Sequence, residues 1–446
     1  MIAHRRVAVA VTMVATGVFV LLAALLVPWS PVPGGTPDPV PVGDVLTSTE
    51  VARAEQFTGV LRRWGWAATA VNLLVVVLLA LSARVRHWAG RLPGRWWGQV
   101  LLAVAGVELV ARVATLTFSV LSRRHVRAAG LSDQSWTGFA RDLVVAEALD
   151  VVVTGLLALV VVGCARRWRR AWPAVVAGLA AGLVVAGSFA YPLLVEPLFN
   201  DFAPLPDGDL RTGVLELAQA EGVPVDEVLV ADASRRTTTL NAYVSGFAGS
   251  RRVVLYDNLV RDVPRDEALA VVAHELAHAR HGDVLVGTVL GASGAAAAVG
   301  LLGLVLGRRR ADEPATVPTL VALLAVGSVL ALPVQNGISR SIELRADVEA
   351  LQATDDPDAF VALQRRLALR SLADPTPPAW SHWWFGSHPT LLVRVALARS
   401  AGASGRSRIH ALARPLEEPH DRATEREDHD NDECSYSCDE KAIFNR

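Results

Sequence analysis

Seven stretches of this chain are apolar and long enough to cross a lipid bilayer, which limits its possible folds more than any other feature. A spanning helix needs about 20 mainly apolar residues, because each rises about 1.5 Å through a hydrocarbon core about 30 Å thick. The windows lie near residues 7–28, 66–83, 98–121, 146–164, 173–195, 284–306 and 316–336. A hydrophobic share of 52% over 446 residues argues the same way, against a set of soluble domains. The first window follows His4, Arg5 and Arg6, as a signal peptide would. Its apolar run is long for one, and the PWSPVPGGTPDP that follows lacks a small-x-small cleavage site, so it is read as a retained span. Glu108 and Arg112 fall inside the third window, and Glu147 and Asp150 flank the start of the fourth. Ionisable groups at such depth are expected to face protein or a water-filled interior.

Charge and cysteine content exclude some functions. A formal net charge of −1 leaves no basic surplus for nucleic acid, so the expected partners are the lipid bilayer and a peptide or protein substrate. Lys441 is the only lysine, and this arginine bias, with abundant Ala and Val, suggests a GC-rich bacterial genome. Cys164, Cys434 and Cys438 are too few to staple a scaffold.

Between the fifth and sixth windows, residues 199–283 read as a compact α+β unit. Residues 207–221 look helical and stop at Gly222; EVLVAD at 227–232 reads as a strand; TTTLNAYVSGF and RRVVLYD read as a hairpin around AGS. A helix is predicted to begin near Pro264 and to break at Gly282. A second polar region, 337–401, opens with a helix carrying SIELRADVEALQ and ends in SHPTLLVRVALARS. Residues 402–446, rich in Asp, Glu, His and Arg, are expected to form a disordered acidic tail. The predicted division is a membrane region 1–198 with five spans, a peptidase region 199–401 that includes the last two spans, and the tail.

The sequence His274-Glu275-Leu276-Ala277-His278 carries the chemistry. Residues four apart on a helix are about 40° out of register, so both imidazoles leave one face and can grip one ion. Glu275 stands about 100° round from His274, beside the metal, where a carboxylate can act as base for a water. Leu269, Val272, Ala273 and Leu276 give the helix an apolar back. A zinc hydrolase keeps one coordination place for water and takes three protein ligands, so a third is required. Glu343 is the candidate, with Asp347 one turn further placed to receive the free N–H of a ligating histidine. One zinc ion per chain is expected. His281 reads as solvated, and Asp283 as a cap for the sixth span.

In order and spacing these residues resemble the M48 metallopeptidases, the membrane-bound Ste24-type CAAX prenyl proteases and the related HtpX-type heat-shock proteases. The resemblance runs from about residue 192 to 398 through PLFNDF at 197–202, NAYVSGF at 241–247, RRVVLYDNL at 251–259, HELAHARHGD at 274–283, SRSIELRAD at 339–347 and SHPTLLVR at 387–394. Asp283 looks more like the HtpX branch, since Ste24 enzymes tend to have histidine there. The resemblance implies an α-helical multi-pass membrane protein of about seven spans with a small α+β zinc peptidase unit of gluzincin type. It also implies Glu343 as third ligand, Asp347 as its supporting partner, and His388 and Arg394 reaching the substrate carbonyl or oxyanion. The strand carrying Asn241, Ala242 and Tyr243 would pair with the substrate backbone. By chemistry alone that strand is equally half of a structural hairpin, and His388 a loop histidine before Pro389.

The resulting expectation is a membrane-embedded zinc metalloendopeptidase acting on membrane-associated or membrane-proximal polypeptides. The alternative is a non-catalytic receptor or pseudo-protease that senses through its zinc site, against which the intact Glu275 speaks. A transporter would leave the HExxH unit unexplained. With the N-terminus inside, thirteen arginines fall in inner short loops against seven in the outer ones, which turns the zinc unit outward. The resemblance implies a cytoplasmic site instead. The side stays open, with the charge count given more weight.

Overall fold

The structure, a computed structural model, describes residues 2–246, 251–306 and 311–412. Residues Met1–Ala403 form one compact unit, and of a second unit, Ser404–Arg446, only the first residues are described. The turn residues AGS and residues 413–446, with Cys434 and Cys438, lie outside the described residues, whereas residues 402–412, expected to be part of a disordered tail, are helical.

The N-terminal part is helical: α1 (Ile2–Leu26), α2 (Ser48–Leu81), α3 (Ala83–Gly90), α4 (Trp96–Ala128), α5 (Trp136–Arg167) and α6 (Trp172–Ala190). Hydropathy finds only the apolar middle of such helices. Helix α2 begins well before its window because Thr47 and Glu50 form a reciprocal cap, the Glu50 amide donating to Thr47 Oγ1 at 3.3 Å and the Thr47 amide to the Glu50 carboxylate at 2.8 Å. Arg112 of α4 forms an ion pair with Glu147 of α5, and its Nη2 lies 3.4 Å from Asp150, so these intramembrane charges face one another.

After α6, a π-helical turn (Tyr191–Val195) and short α7 (Glu196–Phe199) lead into a four-stranded sheet. It comprises β1 (Phe202–Pro204), β2 (Glu227–Ala231), β3 (Ala242–Ser245) and β4 (Arg252–Tyr256), in spatial order β1-β2-β4-β3. Strands β3 and β4 pair antiparallel as the predicted hairpin, while β2 lies parallel to β4. Strand β1 escapes a periodicity reading, being three residues long and ending in proline. Helix α8 (Asp209–Ala220) precedes β2, and short α9 (Asp257–Asp262) leads to α10 (Arg265–His281). Of the predicted apolar back of α10, Val272, Ala273 and Leu276 are buried and Leu269 is partly buried.

Gly282, at φ +63°, ends α10 and lets α11 (Asp283–Leu306) start at once in a new direction. Helix α11 packs on α1 through glycines: a Cβ at Gly300 would lie 2.4 Å from Thr12 Oγ1, and one at Gly303 would lie 3.0 Å from the Ala8 Cβ. Helix α12 (Val317–Thr354) is continuous, joining the seventh apolar window and the SIELRADVEALQ segment that the sequence divides in two. Pro333 inside it has no N–H for the Val329 carbonyl, and the Trp384 indole N–H donates to that oxygen instead, at 3.1 Å. Three more helices complete the described chain: α13 (Pro357–Ser371), α14 (Ala379–Phe385) and α15 (Leu391–Leu412). Among the described residues, seven helices are long and apolar enough to cross a membrane: α1, α2, α4, α5, α6, α11 and α12.

Candidate metal centre and active site

Helices α10 and α12 pack together and bring three ligand atoms to one point. His274 Nε2 lies 3.1 Å from His278 Nε2 and 3.3 Å from Glu343 Oε2, and His278 Nε2 lies 3.6 Å from Glu343 Oε1. Ligand atoms held about 2.0–2.1 Å from a tetrahedral zinc stand about 3.3 Å apart, so these separations fit that ion. Glu343 Oε2 is buried, and apart from His274 Nε2 at 3.3 Å nothing among the described residues meets it, a carboxylate oxygen that a cation would satisfy.

The outer nitrogens of both rings are also committed. Nδ1 of His274 is 3.0 Å from Asp347, which is fully buried, and Nδ1 of His278 is 2.9 Å from Asp283 Oδ2. Donation of each Nδ1–H to a carboxylate leaves the Nε2 lone pairs for the centre. Burial opposes a charged ring at His274, yet the bonds to Asp347 and Glu343 outweigh it and push its pKa up to about 10. The site therefore attracts positive charge.

Glu275 stands beside this group in the wall of a cavity of ≈ 1710 Å³. Apolar and small residues line it, among them Phe19 of α1, Leu157 of α5, Val184 of α6, Gly291 of α11 and Gly327 of α12, with the three ligands, Glu275 and His388 at its polar end. Burial raises the Glu275 carboxyl above its ordinary value, although both imidazoles pull the other way. His388 Nε2 lies 3.5 Å from Glu343 Oε1, and Ser387 Oγ is 2.8 Å from its Nδ1. Its side chain keeps 61% of its surface accessible, yet the cavity walls around it lower its pKa, against the pull of Glu343. Arg394 enters from α15, and both its Nε, at 2.7 Å, and its Nη2 bond Asp347. Strand β3 is an edge of the sheet, with Asn241, Ala242 and Val244 in the cavity wall.

Two residues, Arg394 and Asp283, stand differently from the sequence reading. Arg394, which the resemblance sends to the substrate carbonyl or oxyanion, is instead committed to Asp347. His281 is exposed as read, and pairs with Glu349 at 2.6 Å. Asp283 spends both carboxylate oxygens on His278 and Arg345, and no bond from it to a helix amide is found among the described residues. The signal was the aspartate five positions after His278, and its geometry was hidden because Gly282 reverses the local direction.

The chain is similar to known proteins along most of its length. Residues 204–401 match the model of peptidase family M48, and residues 42–201 match the N-terminal region of CAAX prenyl proteases, described as five membrane helices. A CAAX prenyl protease 1 homolog of Arabidopsis thaliana is 30% identical over 66% of this chain and 71% of its own length. The Bacillus subtilis metalloprotease YhfN is 25% identical over 78% of this chain and 85% of its own. The crystal structure of Saccharomyces mikatae Ste24p superposes with a TM-score of 0.71 at 18% identity, over 89% of this chain and 98% of that one, which is a likeness of fold. The chain therefore belongs to peptidase family M48, and is a multi-pass membrane metalloprotease of this zinc-dependent family.

Proposed function

We propose that this protein is an endopeptidase that holds one zinc ion per chain with His274, His278 and Glu343 and cleaves membrane-associated or membrane-proximal polypeptides. The observation that carries the reading is the convergence of those three ligand atoms at the polar end of an apolar cavity, with Glu275 beside them. When bound, zinc supplies Lewis acidity, which polarises a carbonyl and lets a water ionise near neutral pH.

The rest falls to the chain's own groups. Glu275, made more basic by burial, takes the proton of the attacking water and returns it to the leaving amine. Ser387 donates to Nδ1 of His388, which leaves a proton on Nε2 for the developing oxyanion. Arg394 serves through Asp347, which holds the His274 ring. Asn241, Ala242 and Tyr243 offer the substrate backbone the free edge of β3. The apolar wall of the cavity favours substrates that carry an apolar segment or chain. Residues 1–198 form the membrane region, 199–401 the peptidase region and 402–446 a tail. The short-loop arginines favour an active site on the outer face.

Two variants test the assignment. Glu275→Gln should abolish peptide cleavage while zinc stoichiometry stays near one, because only proton transfer is lost. Glu343→Ala should lose both. Near-normal hydrolysis by Glu275→Gln, or full-affinity zinc in Glu343→Ala, would falsify the corresponding role.

A further inference from the structure

We infer that Asp283 is a positioning residue for His278, fixing the orientation of that ring as a metal ligand rather than capping a membrane helix. The inference rests on the zinc site proposed above. On an uninterrupted helix a residue five positions on stands roughly 140° away, out of reach of the earlier side chain. Gly282 removes this obstacle. Its left-handed conformation turns the chain between α10 and α11, and Asp283 comes back beneath the imidazole, with Oδ2 2.9 Å from Nδ1. The next amides do not need its carboxylate, since Leu285 and Val286 donate to the Gly282 carbonyl at 2.8 and 3.0 Å.

The second oxygen, Oδ1, accepts from Arg345, two residues beyond Glu343 on α12. The guanidinium offsets a negative charge that is only 9% exposed, and it keeps the carboxylate aimed at the ring. The arrangement repeats the one on the other ligand, where Asp347 meets Nδ1 of His274 and is held by Arg394. Each imidazole thus rests on a carboxylate, and each carboxylate on an arginine. A carboxylate in this position fixes the tautomer and makes the ligating nitrogen a better donor. Asp283 also connects the elements, because α10 carries the ligand it orients, α11 begins with it and α12 supplies its arginine.

The test uses the full chain in detergent or nanodiscs and measures zinc affinity by chelator competition, the cobalt(II) visible spectrum and the melting temperature. Asp283→Ser keeps a residue suited to a helix start but cannot reach the ring, so it separates the two roles. It should bind zinc roughly 10- to 100-fold more weakly and shift the cobalt bands, with a lower melting temperature because Arg345 loses its carboxylate. Asp283→Asn, whose carbonyl can still accept from Nδ1, should recover part of the affinity. His278→Ala is the reference and should lose metal. If both Asp283 variants bind zinc like the parent and leave the cobalt spectrum unmoved while His278→Ala is impaired, Asp283 only shapes the helix junction and the inference is overturned. If His278→Ala itself binds normally, the proposed site is wrong and the inference falls with it.

Discussion

Arg394 holds Asp347 with two nitrogens, Nε at 2.7 Å from Oδ2 and Nη2 on Oδ1, inside a pocket where Asp347 is completely buried. The guanidinium also lies over the Phe360 ring, 5.9 Å from its centroid, so position and charge are both fixed. Removing it would leave this buried carboxylate with His274 alone as its charged partner. Arg394→Ala is expected to destabilise the protein by about 3–5 kcal/mol, as breaking buried pairs does. Arg394→Lys keeps the charge and loses the two-pronged grip, so it should fold and bind zinc more weakly. Because Arg394 acts through Asp347, the effects of Asp347→Asn and Arg394→Lys on kcat should be non-additive in a double-mutant cycle. Additive losses would mean that Arg394 meets the substrate independently.

The raised pKa of His274 predicts a proton count. In the metal-free protein this ring is pushed up to about 10, so near pH 7 it carries a proton where the cation belongs. Zinc must displace it, and binding should release about one proton from His274. Calorimetry in buffers of different ionisation enthalpy measures that number. The sign also sets stability: a raised histidine pKa stabilises the metal-free fold fully below the unfolded value of about 6.5, and the benefit disappears as pH rises through about 10. Asp347→Ala removes one of the bonds that raise the pKa and should lower the proton yield at pH 7. A parent protein that releases no proton at pH 7 would contradict the assignment.

What the sequence disclosed about this fold and site follows from the range of the interactions. His274, Glu275 and His278 were legible because one helical turn sets their geometry, and Glu343 and Asp347 because they repeat that spacing on a second helix. The apolar windows were legible as spans, yet their ends were not. The start of α2 depends on a cap between Thr47 and Glu50, and α12 runs through Pro333 because a distant indole meets the orphan carbonyl of Val329. Asp283 was misread as a cap because its partner on α10 is chosen by the turn at Gly282, and its second partner, Arg345, comes from α12. Neither contact has a local pattern. The cavity has none either, since its wall takes residues from six helices that meet only in the folded chain.

The bond between Trp384 and Val329 gives a prediction about the segment that carries His388. Trp384→Phe would strand the Val329 carbonyl, at a cost of about 1–3 kcal/mol. Asn336 donates to the Trp384 carbonyl at 2.6 Å and Arg340 bonds the Gly386 carbonyl, so the segment would loosen just before His388. A lower melting temperature and lower kcat are expected with zinc affinity unchanged. Adding Pro333→Ala restores a helix N–H to that carbonyl and should recover the stability of Trp384→Phe. A double variant no more stable than the single one would show that the indole acts through packing alone.

Topology provides the last prediction and decides which substrates the enzyme can meet. Helices α11 and α12 are the two crossings between the HExxH helix and the C-terminal helices, and an even number of crossings returns the chain to its starting side. Arg394 of α15 reaches Asp347, so the start of α15 lies on the face of the metal centre. Alkaline phosphatase or a fluorescent protein fused after residue 401 therefore reports the side of the active site. The arginine-rich short loops lie on the opposite face, and positive loops resist export. The fusion should accordingly be active as phosphatase and dark as a fluorescent protein folded in the cytoplasm, with substrates drawn from the outer face. A bright fluorescent fusion and an inactive phosphatase would reverse the orientation and assign the cavity to cytoplasmic substrates.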